Sequence, residues 1–291
     1  MSMANPAQAR IPRERPIPSA ADSIILTLPH LPDALVGKTI LHLSDFHIRR
    51  FRPFFRNLIE QCARLHPDFI FMTGDYMTFP GDEKNALRVM AELTEALQPK
   101  VENAIFAIFG NHDFPLLRKT APKMMPRVNW ITNGAVIKPS HNLTIIGTST
   151  PCDLVKGVSQ ARQLERNAGI DPDHPDFQNN HYRILLAHEP TVLITAAQLG
   201  IEWCLGGHTH GGQMRIGPRL ALHTSCDLPP KFASGILRLR DSICTVSRGL
   251  GGSYFDIRFF CPSQFLMYHL KRGPFPGNET PSDKMTCVRW W

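Results

Sequence analysis

Five short polar clusters, each closing a run of β-type residues, constrain this chain more than anything else in it. They are Asp45-Phe46-His47, Gly74-Asp75, Gly110-Asn111-His112-Asp113, His188-Glu189 and Gly206-Gly207-His208-Thr209-His210-Gly211-Gly212. Each supplies Asp, Asn or His, the oxygen and nitrogen donors that hold divalent first-row cations. In extended backbone, residues i and i+2 point to the same side, so Asp45 with His47, and His208 with His210, are expected to reach one site as pairs while Phe46 faces the core. The glycines around His208 and His210 let the backbone approach closely. A lone D-x-H or H-x-H arises easily by chance; five such clusters in one chain read as a two-metal site.

The segments between the clusters alternate between strand and helix patterns. Strands are expected at 24–28, 39–43, 68–72, 104–109, 135–138, 142–146, 182–187 and 201–205, with helices at 54–65, 82–97, 153–168 and 191–199. Residues 171–180, with two prolines, read as a loop, and 236–246 as a hairpin turning near Arg240-Asp241-Ser242. This alternation followed by a strand-rich end predicts a layered α/β class. The 291 residues carry no linker-like stretch between the clusters, so one domain over 22–271 is expected. It is flanked by a mobile, Pro- and Arg-rich segment 1–21 and a polar tail 272–291 that ends in Trp290-Trp291. That Trp pair suits a lipid interface, packing back onto the domain, or disorder.

The order and wording of the clusters, D-x-H, G-D, G-N-H-[DE], H and G-H-x-H, resemble the calcineurin-like metallophosphoesterase superfamily over about residues 23–270. Leu43-Ser44-Asp45-Phe46-His47, the stretch from Gly206 to Gln213, and Val246-Ser247-Arg248-Gly249-Leu250-Gly251 followed by Ile257-Arg258-Phe259 resemble one bacterial branch in particular. That branch contains small phosphodiesterases and the UDP-2,3-diacylglucosamine pyrophosphohydrolases of lipid A synthesis. The resemblance implies an αββα sandwich of two facing mixed sheets flanked by helices. It also implies two divalent metal ions, with Asp45, His47 and His210 on one, Asn111, His188 and His208 on the other, and Asp75 bridging both. Manganese is the first expectation, and iron, zinc or cobalt suit the same donors.

All seven ligand positions are filled, which favours catalysis over a non-catalytic scaffold of the same fold. Two divalent cations against Asp45, Asp75 and a bridging hydroxide leave a net positive centre that attracts phosphate. In the family, the position of His112 faces the phosphate or leaving group, so His112 is expected to act as general acid or to stabilise the transition state. After Gly74-Asp75 the chain reads Tyr76-Met77-Thr78-Phe79, without the Asp-Arg pair of G-D-x-x-D-R. The missing pair would orient the catalytic histidine and grip phosphate, which argues against a phosphoserine phosphatase. Arg248 is a candidate substitute.

Directly after His47, Ile48-Arg49-Arg50-Phe51-Arg52-Pro53-Phe54-Phe55-Arg56 interleaves arginines with phenylalanines. Arg49, Arg50 and Arg52 are therefore candidate substrate contacts. The same interleaving suits a lipid-linked pyrophosphate, stacked bases, or the start of an amphipathic helix. The formal net charge of +7 fits an anionic partner without choosing one. The expected partner is a phosphate ester, including a lipid-linked one, with peripheral membrane contact; nucleic acid is disfavoured because no further DNA-binding segment is evident. Seven scattered cysteines without a C-x-x-C pair point to a reducing compartment. Without a signal-peptide core or a membrane-span-length apolar run, a cytoplasmic location is expected, with any membrane met at its inner surface.

Overall fold

A computed structural model describes residues 21–217, 220–255, 257–277 and 282–291. The expected mobile segment 1–21 lies, apart from Ala21, outside the described residues. Two sheets carry the fold. The first contains β1 (Asp22–Leu28), β2 (Thr39–Leu43), β3 (Phe69–Met72), β4 (Ile105–Ala107), β5 (Val128–Trp130) and β14 (Leu266–Arg272), in the order β1-β14-β2-β3-β4-β5. The second contains β6 (Gly134–Lys138), β7 (Leu143–Thr148), β8 (Tyr182–Ala187), β9 (Trp203–Gly206), β12 (Gly235–Leu239), β13 (Ser242–Val246) and β15 (Thr286–Arg289), in the order β15-β12-β13-β9-β8-β7-β6. A hairpin of β10 (Arg215–Ile216) and β11 (Leu220–Ala221) stands apart from both sheets.

The alternation of side chains along each strand sorts them into three apolar layers. In β3, Phe69 and Phe71 enter the core between the sheets, whereas Ile70 and Met72 turn to the outer face. In β9, Trp203 and Leu205 face the same inter-sheet core and Cys204 the opposite side. Helices α1 (Pro53–Ala63), α2 (Glu83–Ala96) and α3 (Pro115–Met124) cover the first sheet, through Phe54, Phe55, Leu58, Leu93 and Leu117. On the second sheet, α4 (Leu154–Asn167) and α6 (Leu193–Gln198) bury Leu154, Ala161, Leu193 and Ala196, helix-spaced residues with a polar face left to water. The layering is the αββα sandwich expected from the motifs. A short helix α5 (Phe177–Asn180) occupies the end of the segment read as loop.

Two open readings are decided. The chain beyond 271 does not stay a tail: Thr286–Arg289 pairs antiparallel with β12 as an edge strand, and Trp291 Nε1 donates to the Val246 carbonyl at 3.0 Å. The C-terminal indole thus packs inward, because the open edge of β12 offers unpaired backbone groups that a returning strand satisfies. In the arginine-phenylalanine segment, Phe54 and Phe55 are core residues of α1, which starts at Pro53. Neither is available to a lipid or a base.

The topology sets the site. Strands β2, β3 and β4 run parallel, as do β13, β9, β8 and β7. In parallel sheets the loops after the carboxyl ends gather along one edge, the usual place for ligands in open α/β structures. Asp45, Asp75 and Asn111 follow β2, β3 and β4; His188 and His208 follow β8 and β9.

Candidate metal centre

The donors meet. One ligand atom from each of Asp45, His47, Asp75 and His210 lies within 4.8 Å of the others, and the same holds for Asp75, His188 and His208. Asp75 belongs to both groups. Its Oδ2 stands 3.1 Å from His188 Nε2 and 3.5 Å from His47 Nε2, between one histidine of each group. Asn111 joins the second group through its Oδ1, 3.0 Å from His208 Nδ1. These contacts assemble all seven sequence-derived ligand positions. Asn111 is exposed and His208 only half-buried, so this half of the cluster faces solvent while Asp45, His47, Asp75 and His210 lie inside.

The D-x-H and H-x-H pairs converge, but not through extended backbone. Asp45, His47, Asp75, His208 and His210 have φ values of 51°, 46°, 58°, 68° and 51°, all left-handed. Such conformations are costly for residues with a Cβ and persist where the surroundings enforce them, commonly at functional sites. Backbone bonds do the enforcing: Asp45 N–H donates to the Gly74 carbonyl, His47 to Asp75 and Ile48 to Tyr76, at 2.9–3.0 Å. The loops after β2 and β3 therefore run side by side. Gly207 and Gly110 allow the closest approaches, since a Cβ on either would lie 2.1 Å from Asp45 Oδ2 or 2.2 Å from Asp75 Oδ1.

Surrounding acceptors fix the histidine tautomers. His188 Nδ1 donates to the Thr73 carbonyl at 2.8 Å and His210 Nδ1 to the Gly251 carbonyl at 3.3 Å, leaving each Nε2 lone pair for the centre. His208 is reversed: Nε2 donates to the Ser225 carbonyl at 2.8 Å, leaving Nδ1 beside Asn111. His47 Nδ1 meets Thr78 Oγ1 at 3.3 Å.

The donor set fits cations. His47 and His210 Nε2 atoms sit 3.0 Å apart, and burial pushes His47 down to about 3 and His210 well below its ordinary value, so both are neutral imidazoles. Two neutral ring nitrogens aimed at each other and at carboxylates make a cation site. Burial works against ionisation of Asp75, but the charge of His188 and its hydrogen bond outweigh it and hold the carboxyl far below its usual range. In return, Asp75 overcomes the burial of His188 and pushes it up to about 10, so a cation at Nε2 would displace a proton held there towards Asp75. Asp45 Oδ2 is buried without a hydrogen-bond partner, a lone-pair site that a cation would satisfy.

His112 flanks this group, its ring centroid 5.0 Å from that of His47. Its backbone N–H donates to Asp75 Oδ1 at 2.8 Å, and its Nδ1 donates to the Thr78 carbonyl at 2.9 Å, leaving Nε2 free. Thr78 occupies the position of the absent orienting Asp, and its main chain does the orienting. Phe79 occupies that of the absent Arg, with the Arg49 guanidinium 4.8 Å over its ring.

The proposed substrate arginines are more scattered. Arg49 donates to the carbonyls of Ser253 and Tyr254, Arg50 is exposed, and Arg52 caps the start of α1. Arg248 pairs with Asp22 at 3.3 Å rather than with the donors.

Residues outside the ligand set also contribute, and Asp113 holds local geometry, as its place in the Gly110–Asp113 cluster suggests. Asp113 Oδ2 accepts from the N–H groups of Asp75 (2.9 Å) and Gly110 (2.7 Å), and Oδ1 from Tyr76 (2.7 Å), tying the β3 and β4 loops together. Arg258, lowered to about 10 by burial, donates to the carbonyls of Arg248 (2.7 Å), Gly249 and His210 beneath the last ligand loop. Only its place in the Ile257-Arg258-Phe259 wording marked it beforehand. Tyr254 packs edge-on to His112 and against Phe79, at centroid distances of 5.6 and 5.8 Å.

Fold and site together define a layered α/β phosphoesterase with a buried divalent-metal site. The family model described as calcineurin-like phosphoesterase matches residues 38–212. The chain belongs to that family and is a metal-dependent phosphoester hydrolase. It is 28% identical over 243 residues to "Phosphodiesterase YaeI" of Escherichia coli (strain K12), covering 79% of this chain and 81% of that protein. Two Bacillus subtilis (strain 168) proteins are also similar. "Uncharacterized metallophosphoesterase YkoQ" is 26% identical over 221 residues, covering 75% of this chain and 78% of the relative. "Uncharacterized metallophosphoesterase YkuE" is 23% identical over 252 residues, covering 83% and 82%.

Proposed function

We propose that the chain is a dinuclear phosphodiesterase or pyrophosphohydrolase that cleaves its ester by direct attack of water, without a covalent intermediate. The observation that carries this reading is the position of Asp75 Oδ2 between His47 and His188, one from each donor group. Asp45, His47 and His210 would hold one cation, Asn111, His188 and His208 the other, and Asp75 both. When bound, such a pair supplies Lewis acidity and an activated water at neutral pH. The protein's own part is positional. Thr73, Gly251 and Ser225 carbonyls hold three imidazoles in their ligating tautomers, and Asp113 keeps the Asp75 and Asn111 loops in register. The Thr78 carbonyl fixes the Nδ1 proton of His112, so its Nε2 is the atom that carries a proton to the departing oxygen.

For substrate, the reading is a diester or pyrophosphate with an apolar or aromatic group on the leaving side, because Phe79 and Tyr254 stand beside His112. UDP-2,3-diacylglucosamine, a lipid-linked pyrophosphate, is the leading named candidate. A generic small-diester phosphodiesterase is the second reading, and the name carried by the Escherichia coli relative favours it. Manganese is the proposed metal.

A panel of bis-p-nitrophenyl phosphate, UDP-2,3-diacylglucosamine, glycerophosphodiesters and cyclic nucleotides in mixed micelles with Mn²⁺ tests both levels. Turnover of the acylated compound well above the others supports the first reading, and equal turnover of small diesters supports the second. Inactivity with Mn²⁺, Fe²⁺, Co²⁺ and Zn²⁺ alike contradicts the enzyme assignment.

A further inference from the structure

Two loops near the metal centre carry an inverted polarity pattern. Around β10, Met214 and Ile216 are exposed while Arg215 between them is 2% exposed. In the second loop Ile257 and Phe259 are exposed while Arg258 between them turns inward onto the His210, Arg248 and Gly249 carbonyls. A soluble surface normally puts the cation out and the apolar residue in. Leu220, Leu222, Tyr254, Phe255 and Phe260 extend the exposed apolar set, with Phe255 at 75%.

The exposure is built rather than frayed. Arg215 N–H donates to the Phe259 carbonyl and Phe259 N–H to the Gln213 carbonyl, both at 3.0 Å, while the Gln213 side chain bonds Phe255 and Ser253 at 2.7 and 3.0 Å. Arg215 is anchored below on Gly211, Ser234 and the Trp291 carbonyl. The two loops are one hydrogen-bonded unit. At roughly 150–250 Å² per aromatic side chain, the four exposed rings alone present on the order of 500 Å², near the upper range of an ordinary monomer's largest apolar patch before five aliphatic residues are added.

Charge selects the occupant. Arg49 donates to the Ser253 and Tyr254 carbonyls, so the segment 48–56, with four arginines and no acidic residue, adjoins the apolar unit. A second copy of the chain would bring the same arginines face to face across a two-fold interface. Aromatic residues bordered by arginines match the interfacial region of an anionic bilayer.

We propose that the exposed side chains of Met214, Ile216 and Leu220, with those of Phe255, Phe259 and Phe260, form a docking surface for an anionic phospholipid membrane, seating the metal centre at the lipid–water boundary. The proposal goes beyond the hydrolase reading and rests on its own observations. It assigns membrane contact to these loops and not to Phe54, Phe55 or Trp291, whose side chains the fold turns inward.

The test is co-sedimentation of the full chain with vesicles of phosphatidylcholine, with and without phosphatidylglycerol. Binding is expected only with phosphatidylglycerol, and Ile216→Ser/Phe255→Ser/Phe260→Ser is expected to reduce it about tenfold or more as interfacial apolar contacts are lost. Its turnover of bis-p-nitrophenyl phosphate should stay within about twofold, since none of the three residues contacts the proposed centre. Phe255→Trp, a milder variant, should show blue-shifted emission on addition of the anionic vesicles. Lack of wild-type binding, binding unchanged in the triple variant, an unshifted Phe255→Trp spectrum, or a dimer that the triple variant abolishes would each overturn the proposal. Vesicle binding without any phosphoesterase turnover would sink the hydrolase reading alone.

Discussion

Asp113 offers the sharpest test of how the centre is held, because it is buried and makes no contact that chemistry requires. Its carboxylate accepts three backbone N–H groups, from Asp75, Tyr76 and Gly110. Asp113→Ala leaves these donors without a partner where little water reaches. At about 1–3 kcal/mol for each buried donor left unsatisfied, and allowing one to recover water through the cleft, the cost is on the order of 2–6 kcal/mol. For a domain of this size that corresponds to a fall of roughly 4–12 °C in Tm. The β3 and β4 loops would also lose their link, so metal affinity should fall about 10–100-fold, as when other supports of ligands are removed. Asp113→Asn retains an acceptor at one oxygen but points an amide N–H₂ at the remaining donor, and should fall between alanine and wild type. Thermal melts by circular dichroism with and without Mn²⁺, together with metal titration, measure both effects. A Tm within a couple of degrees of wild type and an unchanged Mn²⁺ Kd for Asp113→Ala would refute the idea that this carboxylate aligns the ligand loops.

Other outcomes follow from the same geometry. His112→Gln should retain both metal ions while kcat falls about 10²–10⁴-fold, the usual worth of a positioned general acid, and elemental analysis beside steady-state kinetics separates the two. Gly207→Ala places a Cβ 2.1 Å from Asp45 Oδ2 and from Ser44 Oγ, so the folded variant should lose metal from the buried half of the site; full occupancy by elemental analysis would contradict this. His42, fully buried between Thr73 and Tyr268, is pushed down to about 3 by burial, so below pH 6.5 the unfolded chain binds a proton that the folded chain refuses. Its contribution to stability is therefore complete above about pH 6.5 and is lost as pH falls towards 3. Between pH 6.5 and 5, urea melts should show wild type losing up to about 1.4 kcal/mol per pH unit more than His42→Asn; parallel curves would contradict the sign.

The donor clusters were legible because metal chemistry restricts donor types and the clusters sit at strand ends, where parallel sheets gather their loops; their assignment to two ions rests on the family resemblance. Strand and helix positions were legible for a similar reason: Phe69–Met72 alternates between two cores, and α1 repeats its apolar residues at helical spacing. The route by which Asp45 reaches His47 was not. Left-handed φ at both residues is imposed by the neighbouring β3 loop, which local periodicity cannot register. Among the readings open for the arginine-phenylalanine segment, the amphipathic helix start holds: Pro53 begins α1 and both Phe54 and Phe55 turn into the core. The Trp tail becomes a strand because β12 leaves an open edge, a property of the assembled sheet. Thr78 and Arg258 act through backbone groups that only the fold brings beside His112 and the last ligand loop, so no spacing rule flags them; Asp113 reads as a holder of local geometry, but its tie to the β3 loop depends on the assembled sheet. Met214, Ile216, Ile257 and Phe259 read as ordinary apolar positions until the fold turns Arg215 and Arg258 inward.

The central claim is that two cations share Asp75. Anomalous diffraction from Mn²⁺-soaked crystals tests it most directly. Two peaks on either side of Asp75, one bounded by Asp45, His47 and His210 and the other by Asn111, His188 and His208, with both lost in Asp75→Ala, are the predicted result. A single ion, ions bound elsewhere, or two ions retained in Asp75→Ala would contradict it.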